Sequence, residues 1–416
     1  MKILWFTNVP VSLEQYYGIT NKSGFWLSSL ANYLKEEVEL HIAFYYSKHR
    51  GSFENNGIHY HPIRYKKYWR IAIKNRFNIS SVDCDDVQNY LCIINEVKPD
   101  LIHIHGTENI FTCLMSKTET PIVVSIQGIL STISKRMYDG LDEESFMNCQ
   151  KYLYKLADII TFSRFNMSTE SIIKGGLRER KNLHFCKSII GRTDWDRRTA
   201  SVIAPNARYY HIDEIMRPEF FNLKWSKPPL IGCYSVFSIA SGAPYKGFEL
   251  ICETLAELIL LAPEIEWQVA GVKDSDKVVS IVKNKMREKY PKKNLKLLGY
   301  LPTNSVIDAM LKSDLYVMPS HIENGCNALS EAMLIGMPCI SCFSGGVGTT
   351  LTNNYDGILL QCGDSFALAG AILELKRDPG KAAQFGDRAR IKACQRHNPN
   401  FILKETLKVY KEILTS

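Results

Sequence analysis

The chain has 416 residues, which is too many for one ordinary hydrophobic core and suits two domains of about 200 residues each. With 45% apolar and 23% charged residues, the composition is that of a globular protein, and no uninterrupted apolar run approaches the length of a membrane span. The net charge of +8 comes from 51 basic and 43 acidic residues, so a strongly basic surface can only be local.

The first residues, MKILWFTNVP, predict a strand rather than a signal peptide, because no small-residue cleavage site follows the short apolar run. Twelve cysteines stand mostly singly within apolar runs, which is typical of buried thiols in a reducing compartment. Cys339 and Cys342 form a C-x-x-C, but it has no second pair and no histidine at ligand spacing. We interpret these two as strand thiols and expect a cytoplasmic protein.

A local basic cluster stands in the first half. Arg64–Arg76, RYKKYWRIAIKNR, holds six basic residues and no acidic one, interleaved with Tyr65, Tyr68 and Trp69. Three interpretations stay open: a solvated basic face, a peripheral contact with the anionic inner face of a membrane, or steering of an anionic acceptor. No nucleic-acid-binding motif accompanies the cluster, so a nucleic-acid partner is not expected.

Short apolar runs alternate with longer helical patterns along the chain. In the first half the predicted strands are 2–7, 38–46, 100–106, 120–128, 158–163 and 182–186, and the predicted helices are 24–35, 85–97 and 143–157. A proline-marked linker is predicted near 223–229. After it the alternation of strands and helices resumes, with predicted strands at 229–237, 266–272, 295–301, 314–319, 338–343 and 357–362. Apolar strands with helical crossovers predict a doubly wound parallel sheet in each of two Rossmann-like domains, 1–222 and 227–399.

Ligands of such sheets bind beyond the carboxyl ends of the strands. His103 and His105 alternate in LIHIHG, and we expect only one of them to face the mouth of the sheet. His105, at the strand end, is the better placed. The loop after the first strand lacks a G-x-G-x-x-G, which counts against an NAD enzyme. In the second half, Lys246 stands at the entry to a helix predicted over 247–261, where a lysine offers a mobile charge to a diphosphate.

The most specific pattern is Ser320–Pro338, SHIENGCNALSEAMLIGMP. Glu323 and Glu331 have seven residues between them. Asn327 is the predicted N-cap of a helix over Ala328–Ile335, and the glycine and proline that follow supply its stop. Glu323 is therefore expected in the loop before the helix and Glu331 in its first turns.

A glycine-containing loop that opens a helix aims backbone N–H groups and the positive end of the helix dipole at one point, which suits a phosphate. The loop glycine is Gly325, and the candidate amides are those of Cys326, Asn327, Ala328 and Leu329. Two flanking carboxylates can accept hydrogen bonds from sugar hydroxyls on both sides of a diphosphate, which describes a nucleotide sugar. The alternative is an ordinary helix whose acidic residues favour its dipole.

SHIENGCNALSEAM closely resembles the E-x7-E signature of retaining glycosyltransferases of the GT-B fold, the large family-four group, and PYKGFELI resembles that family's K-G segment. The resemblance implies two Rossmann-like domains facing across a cleft. Residues 1–222 would bind the acceptor and 227–399 the nucleotide-sugar donor. The closing helix, Asn400–Leu414 within residues 400–416, would cross back to the first domain.

Three further positions are assigned by the resemblance. Gly24 matches a glycine-bearing loop that leans toward the donor phosphates and the acceptor, although a glycine that starts a helix explains it equally well. Gly271 and Leu298 lie in segments that look like the loops that hold the nucleobase. The resemblance also implies that Glu323 contacts hydroxyls of the transferred hexose and that Glu331 contacts the ribose.

On the acceptor side the family often has a histidine where this chain has Gln127, which can hydrogen-bond a sugar hydroxyl but cannot titrate near neutral pH. A positioning role remains for it. Arg192 and Asp194, in GRTDWD after a predicted strand, either line the acceptor side or pair with each other. The nearest D-x-D pattern, Asp194 to Asp196, is in the acceptor domain, so no metal and no cofactor are expected.

The family commonly has an arginine about six residues before Lys246, and this chain has only Ile239, Ala240 and Ser241 there. Lys246 and the helix amides would then carry more of the charge that grows on the leaving diphosphate, with Lys246 and Glu323 as the catalytic residues. Thr349–Thr350 falls where an acidic residue is frequent.

The expected function is the retaining transfer of a hexose or N-acetylhexosamine from a nucleotide sugar, expected to be UDP-linked, to a saccharide or lipid-linked acceptor in surface polysaccharide or glycolipid synthesis. A sugar-nucleotide epimerase or hydrolase of the same fold, and a catalytically weak nucleotide-sugar-binding partner, stay open as alternatives.

Overall fold

The computed structural model of the chain describes residues 1–17, 24–46, 51–64, 84–142, 144, 169–227 and 232–416. The chain divides into two compact units. The first comprises residues 1–131, 173–217 and 397–416, and the second comprises 132–172 and 218–396. None of the helices in the described ranges combines the length and the hydrophobicity that a membrane span requires.

A mostly parallel sheet forms the centre of the first unit. Its described strands are β1 (Lys2–Thr7), β2 (Glu39–Tyr45), β3 (Phe53–Asn55), β4 (Ile58–Ile63), β5 (Leu101–His105), β6 (Ile122–Ser125), β7 (Ser188–Gly191) and β8 (Arg208–His211). They lie in the order β3-β4-β2-β1-β5-β6-β7-β8, and only β3 and β4 pair antiparallel. All residues of β5 and β7 are buried, as expected for central strands of a parallel sheet.

The described helices that accompany these strands are α1 (Glu14–Tyr17), α2 (Phe25–Leu34), α3 (Cys84–Val97), α4 (Leu130–Arg136), α5 (Thr169–Leu183) and α6 (Asp194–Ile203), with a 3-10 segment at Ile110–Ser116. A reciprocal capping box starts α6. The Thr193 hydroxyl accepts a hydrogen bond from the Asp196 N–H, and the Asp196 carboxylate accepts one from the Thr193 N–H. The Asp196 carboxylate therefore has a structural role at the start of this helix.

The second unit has its own parallel sheet. The strands are β9 (Tyr234–Ile239), β10 (Ile265–Ala270), β11 (Leu295–Gly299), β12 (Leu315–Met318), β13 (Cys339–Cys342) and β14 (Ile358–Leu360), in the order β11-β10-β9-β12-β13-β14. The described helices are α7 (Phe248–Leu261), α8 (Lys277–Met286), α9 (Thr303–Leu311), α10 (Asn327–Leu334), α11 (Val347–Thr350), α12 (Ser365–Arg377) and α13 (Pro379–Arg396). One contiguous hydrophobic core, which includes Trp267, Phe248 and Leu315, joins the sheet to its helices.

Two parallel α/β sheets confirm the predicted doubly wound architecture. One predicted strand, 182–186, is wrong. Helix α5 continues to Leu183, and the strand at this place in the sheet is β7, which begins at Ser188. The residues of β7 are buried as a central strand requires, whereas His184 and Phe185 of the predicted strand are exposed. The predicted strand 158–163 and most of the predicted helix 143–157 lie outside the described residues.

The stretch predicted as a linker near 223–229 is anchored in the second unit where it is described. The Trp225 indole N–H donates to the Ser313 carbonyl at 2.8 Å, and the Arg390 guanidinium donates to the carbonyls of Phe221 and Leu223 at 3.0 and 2.5 Å. The longer segment of the second unit therefore begins at Pro218, before the predicted linker. It also takes in residues 132–172, which the sequence pattern assigned to the first domain.

The chain ends in helix α14 (Pro399–Thr415), which belongs to the first unit. Its Ile402, Val409 and Tyr410 are buried in a core that also contains Trp5 of β1. The Tyr410 hydroxyl lies 3.2 Å from the Trp5 indole nitrogen and 2.6 Å from His103 Nδ1. These contacts join the two ends of the chain within one unit.

Tyr410→Phe should lower the free energy of unfolding by about 1–3 kcal/mol, because it leaves the buried Trp5 N–H without its acceptor. Urea unfolding would measure the change. Tyr33→Phe, on the exposed side of α2, is the matched control and should stay within about 0.5 kcal/mol of wild type. Equal stabilities for the two variants would show that the hydroxyl of Tyr410 does not stabilise the end of the chain.

Candidate active site

The loop between β12 and α10 carries Glu323 beyond the carboxyl end of a central strand of the second unit. Helix α10 begins at Asn327, and Cys326 occupies the N-cap position without a capping side-chain hydrogen bond. The prediction of Asn327 as the N-cap is wrong by one residue. The Asn327 N–H donates to the Gly325 carbonyl at 3.1 Å and so tightens the turn one residue earlier than the sequence suggests.

The first turn of α10 offers backbone N–H groups at the mouth of the sheet. The hydrogen bond from the Ser330 N–H to the Cys326 carbonyl, 2.9 Å long, closes this turn. The amides of Ala328 and Leu329 precede that bond, where an α-helix has no acceptor of its own to offer. The Asn327 amide already donates to the Gly325 carbonyl, so it is less available to a phosphate than the other three amides predicted to bind one. Gly336, with φ +79°, ends the helix as predicted.

Lys246 lies at the end of a 3-10 turn, Pro244–Lys246, directly before α7. Its Nζ is 2.5 Å from Glu323 Oε1, although 77 residues separate the two in sequence. Burial is the largest influence on Lys246 and lowers its pKa, but the charge and hydrogen bond of Glu323, together with Tyr245 and Cys326, outweigh it and raise the pKa above its usual value. Lys246 is therefore cationic at neutral pH and held against the carboxylate that the sequence assigned to the same site.

Two glycines fix the loop that carries Glu323. At Gly247, which has φ +72°, a Cβ would clash with the carbonyl oxygen of Pro319. At Gly345, which has φ +51°, a Cβ would clash with the carbonyl oxygen of Glu323 itself, and the Gly346 N–H donates to that same oxygen at 2.9 Å. The glycine-rich segment after β13 thus supports the backbone of Glu323 directly.

A buried ion pair beside this loop has no counterpart in the sequence predictions. His321 Nε2 contacts Glu249 Oε1, and both side chains are almost fully buried. Burial is the largest influence on His321 and lowers its pKa, but the hydrogen bond to Glu249 and the negative charge of that carboxylate, with smaller contributions from other neighbours, outweigh it and the pKa is raised. The backbone N–H of His321 donates to the backbone carbonyl of Tyr245 at 2.8 Å. His321 therefore connects the loop of Glu323 to the turn of Lys246. The only indication of this role in the sequence is that His321 lies within the segment Ser320–Pro338.

The remaining donor-side predictions fall at neighbouring strand ends or on α10. Glu331 is buried in the second turn of α10. Gly271 follows β10 with φ +86°, and its N–H donates to the Gly299 carbonyl at 2.6 Å. Leu298 is half-buried in β11. Ala240 and Ser241 directly follow β9, so no positively charged side chain lies at the position where the family commonly has an arginine.

In the first unit, a pocket lies at the carboxyl ends of β5, β6 and β7, and its lining includes His103, His105, Gln127, Arg192 and Glu214. The expectation that only one histidine faces the mouth is wrong. Residues two apart on a strand point to the same face, and the two rings contact each other with centroids 3.8 Å apart and planes tilted by 31°. Burial lowers the pKa of His103 to about 3 and that of His105 well below its usual value, so both rings are neutral.

Arg192 and Asp194 do not pair with each other. Arg192 forms a buried ion pair with Glu214 and donates to the Gln127 carbonyl at 3.2 Å. Asp194 is exposed at the start of α6 and pairs with Arg197 at 3.1 Å. Arg192 therefore lines the pocket and Asp194 does not. Glu214, far along the chain, was not predicted.

Gly24 starts α2 with φ +83° and no capping side chain, which is the helix-start role that the sequence left open. The α2 residues Trp26, Leu27 and Leu30 line the pocket of the first unit, whereas Gly24 itself is not among the lining residues. The basic cluster Arg64–Arg76 lies outside the described residues except for Arg64, which is exposed.

Residues 227–392 match the family model "Glycosyl transferases group 1". Among curated proteins, the chain is similar to N-acetyl-alpha-D-glucosaminyl L-malate synthase of Bacillus anthracis, at 27% identity over 27% of this chain and 29% of the relative. It is also similar to the amylovoran biosynthesis glycosyltransferase AmsK of Erwinia amylovora, at 24% identity over 48% of this chain and 49% of the relative. The chain thus spans half or less of the length of these relatives.

Solved structures match along nearly the whole chain. Sucrose-phosphate synthase from Thermosynechococcus elongatus superposes with a TM-score of 0.70 at 14% identity, covering 99% of each chain. The Anabaena protein HepE, in complex with UDP-glucose, superposes with a TM-score of 0.64 at 16% identity, covering 98% of this chain and all of HepE. Taken with the two parallel sheets, these likenesses establish the fold. The chain has the GT-B fold, and its residues 227–392 match the model of the glycosyl transferases group 1 family.

Proposed function

We propose that this protein is a retaining, metal-independent glycosyltransferase that moves a hexose or N-acetylhexosamine from a UDP-sugar to a saccharide or lipid-linked acceptor. The observation that carries the proposal is the contact between Lys246 and Glu323 beside the start of α10. A cation, a carboxylate and helix N–H groups meet there at the carboxyl end of the second sheet, where parallel α/β sheets bind ligands. The name of one relative, the amylovoran biosynthesis glycosyltransferase AmsK, adds support for a role in surface polysaccharide or glycolipid synthesis.

The chemistry follows from what these groups can do. The bond between the anomeric carbon and the diphosphate oxygen breaks with its electron pair on oxygen, so negative charge grows on the leaving group. The acceptor hydroxyl oxygen forms the new bond to the anomeric carbon from the same face, and its proton passes to the leaving diphosphate. Lys246 and the first-turn amides of α10 stabilise that charge. When Lys246 turns to the diphosphate, Glu323 is released to accept hydrogen bonds from the hexose hydroxyls. Glu331 accepts from the ribose.

The acceptor is proposed to bind in the pocket of the first unit. His103 and His105 are neutral there, and Arg192 is compensated by Glu214, so the pocket offers hydrogen bonds, an apolar wall and the carboxylate of Asp213. That combination suits the hydroxyl groups and the apolar faces of a sugar. Gln127 supplies a positioning hydrogen bond in place of a titrating histidine.

Acceptor dependence distinguishes the proposal from its alternatives. A panel of nucleotide sugars would first be screened by thermal shift, because a ligand of the native state raises stability with its affinity. For a transferase, release of UDP from the stabilising donor should require an acceptor. Epimerisation or hydrolysis without acceptor would favour the other enzymes of this fold. Binding without release would indicate a binding partner.

Exchanging each glutamate for glutamine should separate binding from rate. Glu331→Gln should chiefly weaken donor binding, because charge-assisted hydrogen bonds to the ribose become neutral ones. Glu323→Gln should lower saturated turnover more than donor affinity, because contacts to the moving hexose matter most in the transition state. Titration with a non-hydrolysed donor, alongside saturated turnover, measures both. If both variants bind and turn over like wild type, this loop does not hold a nucleotide sugar.

We further propose that the enzyme works in the cytoplasm, at the inner face of the membrane, through the basic and aromatic cluster Arg64–Arg76. Each basic residue near an anionic surface contributes about 1 kcal/mol, so replacing Lys66, Lys67 and Arg70 with glutamine should release the protein from anionic vesicles. Flotation at two salt concentrations measures this. Unchanged vesicle binding by the triple variant would leave a solvated basic face.

A further inference from the structure

Three side chains with metal-binding atoms converge at one edge of the first unit. Glu39 and His41 lie on β2, and His59 lies on the neighbouring strand β4. The parallel register pairs His41 with His59, so these two rings lie side by side, stacked with centroids 4.6 Å apart. One ligand atom from each of the three residues lies within 4.8 Å of the other two.

The spacing between Glu39 and His41 matches that of two ligands on one metal ion, and the partly exposed ring of His59 must turn to bring its own ligand atom equally close. His41 Nε2 is 3.1 Å from Glu39 Oε1. Two ligands at about 2.0–2.2 Å from a tetrahedral zinc ion stand about 3.3 Å apart, so this pair needs only a small adjustment to receive one. His41 is buried, whereas the side chains of Glu39 and His59 remain 48% and 41% exposed. Water can therefore reach the fourth position.

A second pair of side chains holds His41 in the orientation that a metal ligand needs. His41 Nδ1 is 2.9 Å from Nε2 of His61, and His61 Nδ1 is 2.9 Å from the hydroxyl of Ser52. This chain of hydrogen bonds occupies Nδ1 of His41 and leaves Nε2 directed at Glu39. Metal-binding histidines generally have their other ring nitrogen fixed in this way.

We propose that Glu39, His41 and His59 bind a divalent transition-metal ion of the zinc class, with water completing its coordination. Two imidazoles and one carboxylate are a ligand set that zinc accepts. The ion would join β2 to β4 near the antiparallel edge pair β3–β4, and it would stabilise that edge. All three ligands belong to the first unit, so the proposal does not depend on the chemistry assigned to Lys246 and Glu323.

Lys2 supplies an internal competitor for the same carboxylate. Its Nζ lies 3.2 Å from Glu39 Oε1, the oxygen that also contacts His41. A bound cation must displace this ammonium group, which is about one-third exposed and can move into solvent. Removing the positive charge of Lys2 should therefore tighten metal binding, whereas a purely structural histidine cluster predicts no such effect.

The test is calorimetric titration of tag-free, chelator-treated protein with zinc chloride. We expect one site in wild type, at least tenfold weaker binding in His59→Gln, and several-fold tighter binding in Lys2→Gln. His184→Gln, at an exposed histidine elsewhere in the first unit, is the matched control and should bind like wild type. Thermal unfolding of each variant without metal checks that it is folded, and zinc should raise the unfolding temperature of wild type more than that of His59→Gln.

Cobalt substitution identifies the ligands, which matters because the chain has twelve cysteines. Co²⁺ at the proposed site should give visible d–d bands of a four-coordinate nitrogen and oxygen site without a thiolate charge-transfer band. The proposal is overturned if wild type binds no zinc, if His59→Gln binds as tightly as wild type, or if the cobalt spectrum shows thiolate ligands.

Discussion

Lys246→Ala is expected to lower saturated turnover by about a hundredfold or more while the protein stays folded, as the loss of one preorganised charge partner at a leaving group should. The structure adds a second reason. Lys246 Nζ is 2.5 Å from Glu323 Oε1, so the alanine variant also leaves the Glu323 carboxylate in a largely buried place without its cation. Steady-state release of UDP at saturating donor and acceptor would measure the effect.

Lys381→Ala is the matched control for this experiment. Lys381 also pairs with a glutamate, Glu374, at 2.6 Å, but on the exposed side of the second unit. An exposed pair contributes only about 0–1 kcal/mol, so this variant should keep wild-type turnover. Circular dichroism and thermal unfolding establish that both proteins are folded. Near-normal turnover by a folded Lys246→Ala protein would remove this residue from the mechanism.

Gly345→Ala should lower turnover by at least tenfold, although Gly345 carries no side chain that reacts. A methyl group there would clash with the carbonyl oxygen of Glu323, and the φ of +51° disfavours any residue with a Cβ. The loop must therefore move, and a displacement of about 1 Å at a catalytic group can cost about a hundredfold in rate. The same assay and a denaturant unfolding curve would record the change in rate and in stability.

The control is Gly370→Ala. Gly370 lies within α12, and a Cβ built there meets no heavy atom within 4 Å. Alanine in a helix interior is favoured over glycine by roughly 0.5–1 kcal/mol, so this variant should gain stability and keep full activity. If Gly345→Ala were as active as Gly370→Ala, the glycine-rich segment would not determine the position of Glu323.

The sequence alone determined most of the elements and identified the residues of the candidate site in the second unit. Alternating apolar runs predicted parallel strands because the backbone period and the burial of such strands are local properties. The glutamate motif placed Glu323 in a loop and Glu331 in α10, since helix start and stop signals lie within a few residues of each other. Lys246 was identified by its place at the entry to α7. Each of these predictions rests on short-range spacing.

Only the tertiary structure decided which of these residues meet. The Lys246–Glu323 contact joins positions 77 residues apart, and the Arg192–Glu214 pair replaces the predicted pairing with Asp194. The close approach of Gly345 to Glu323 likewise depends on how two strand ends are brought together. Side-chain partners across a sheet are set by strand order and register, and long-range packing fixes these, whereas the local pattern specifies only the face on which each residue lies.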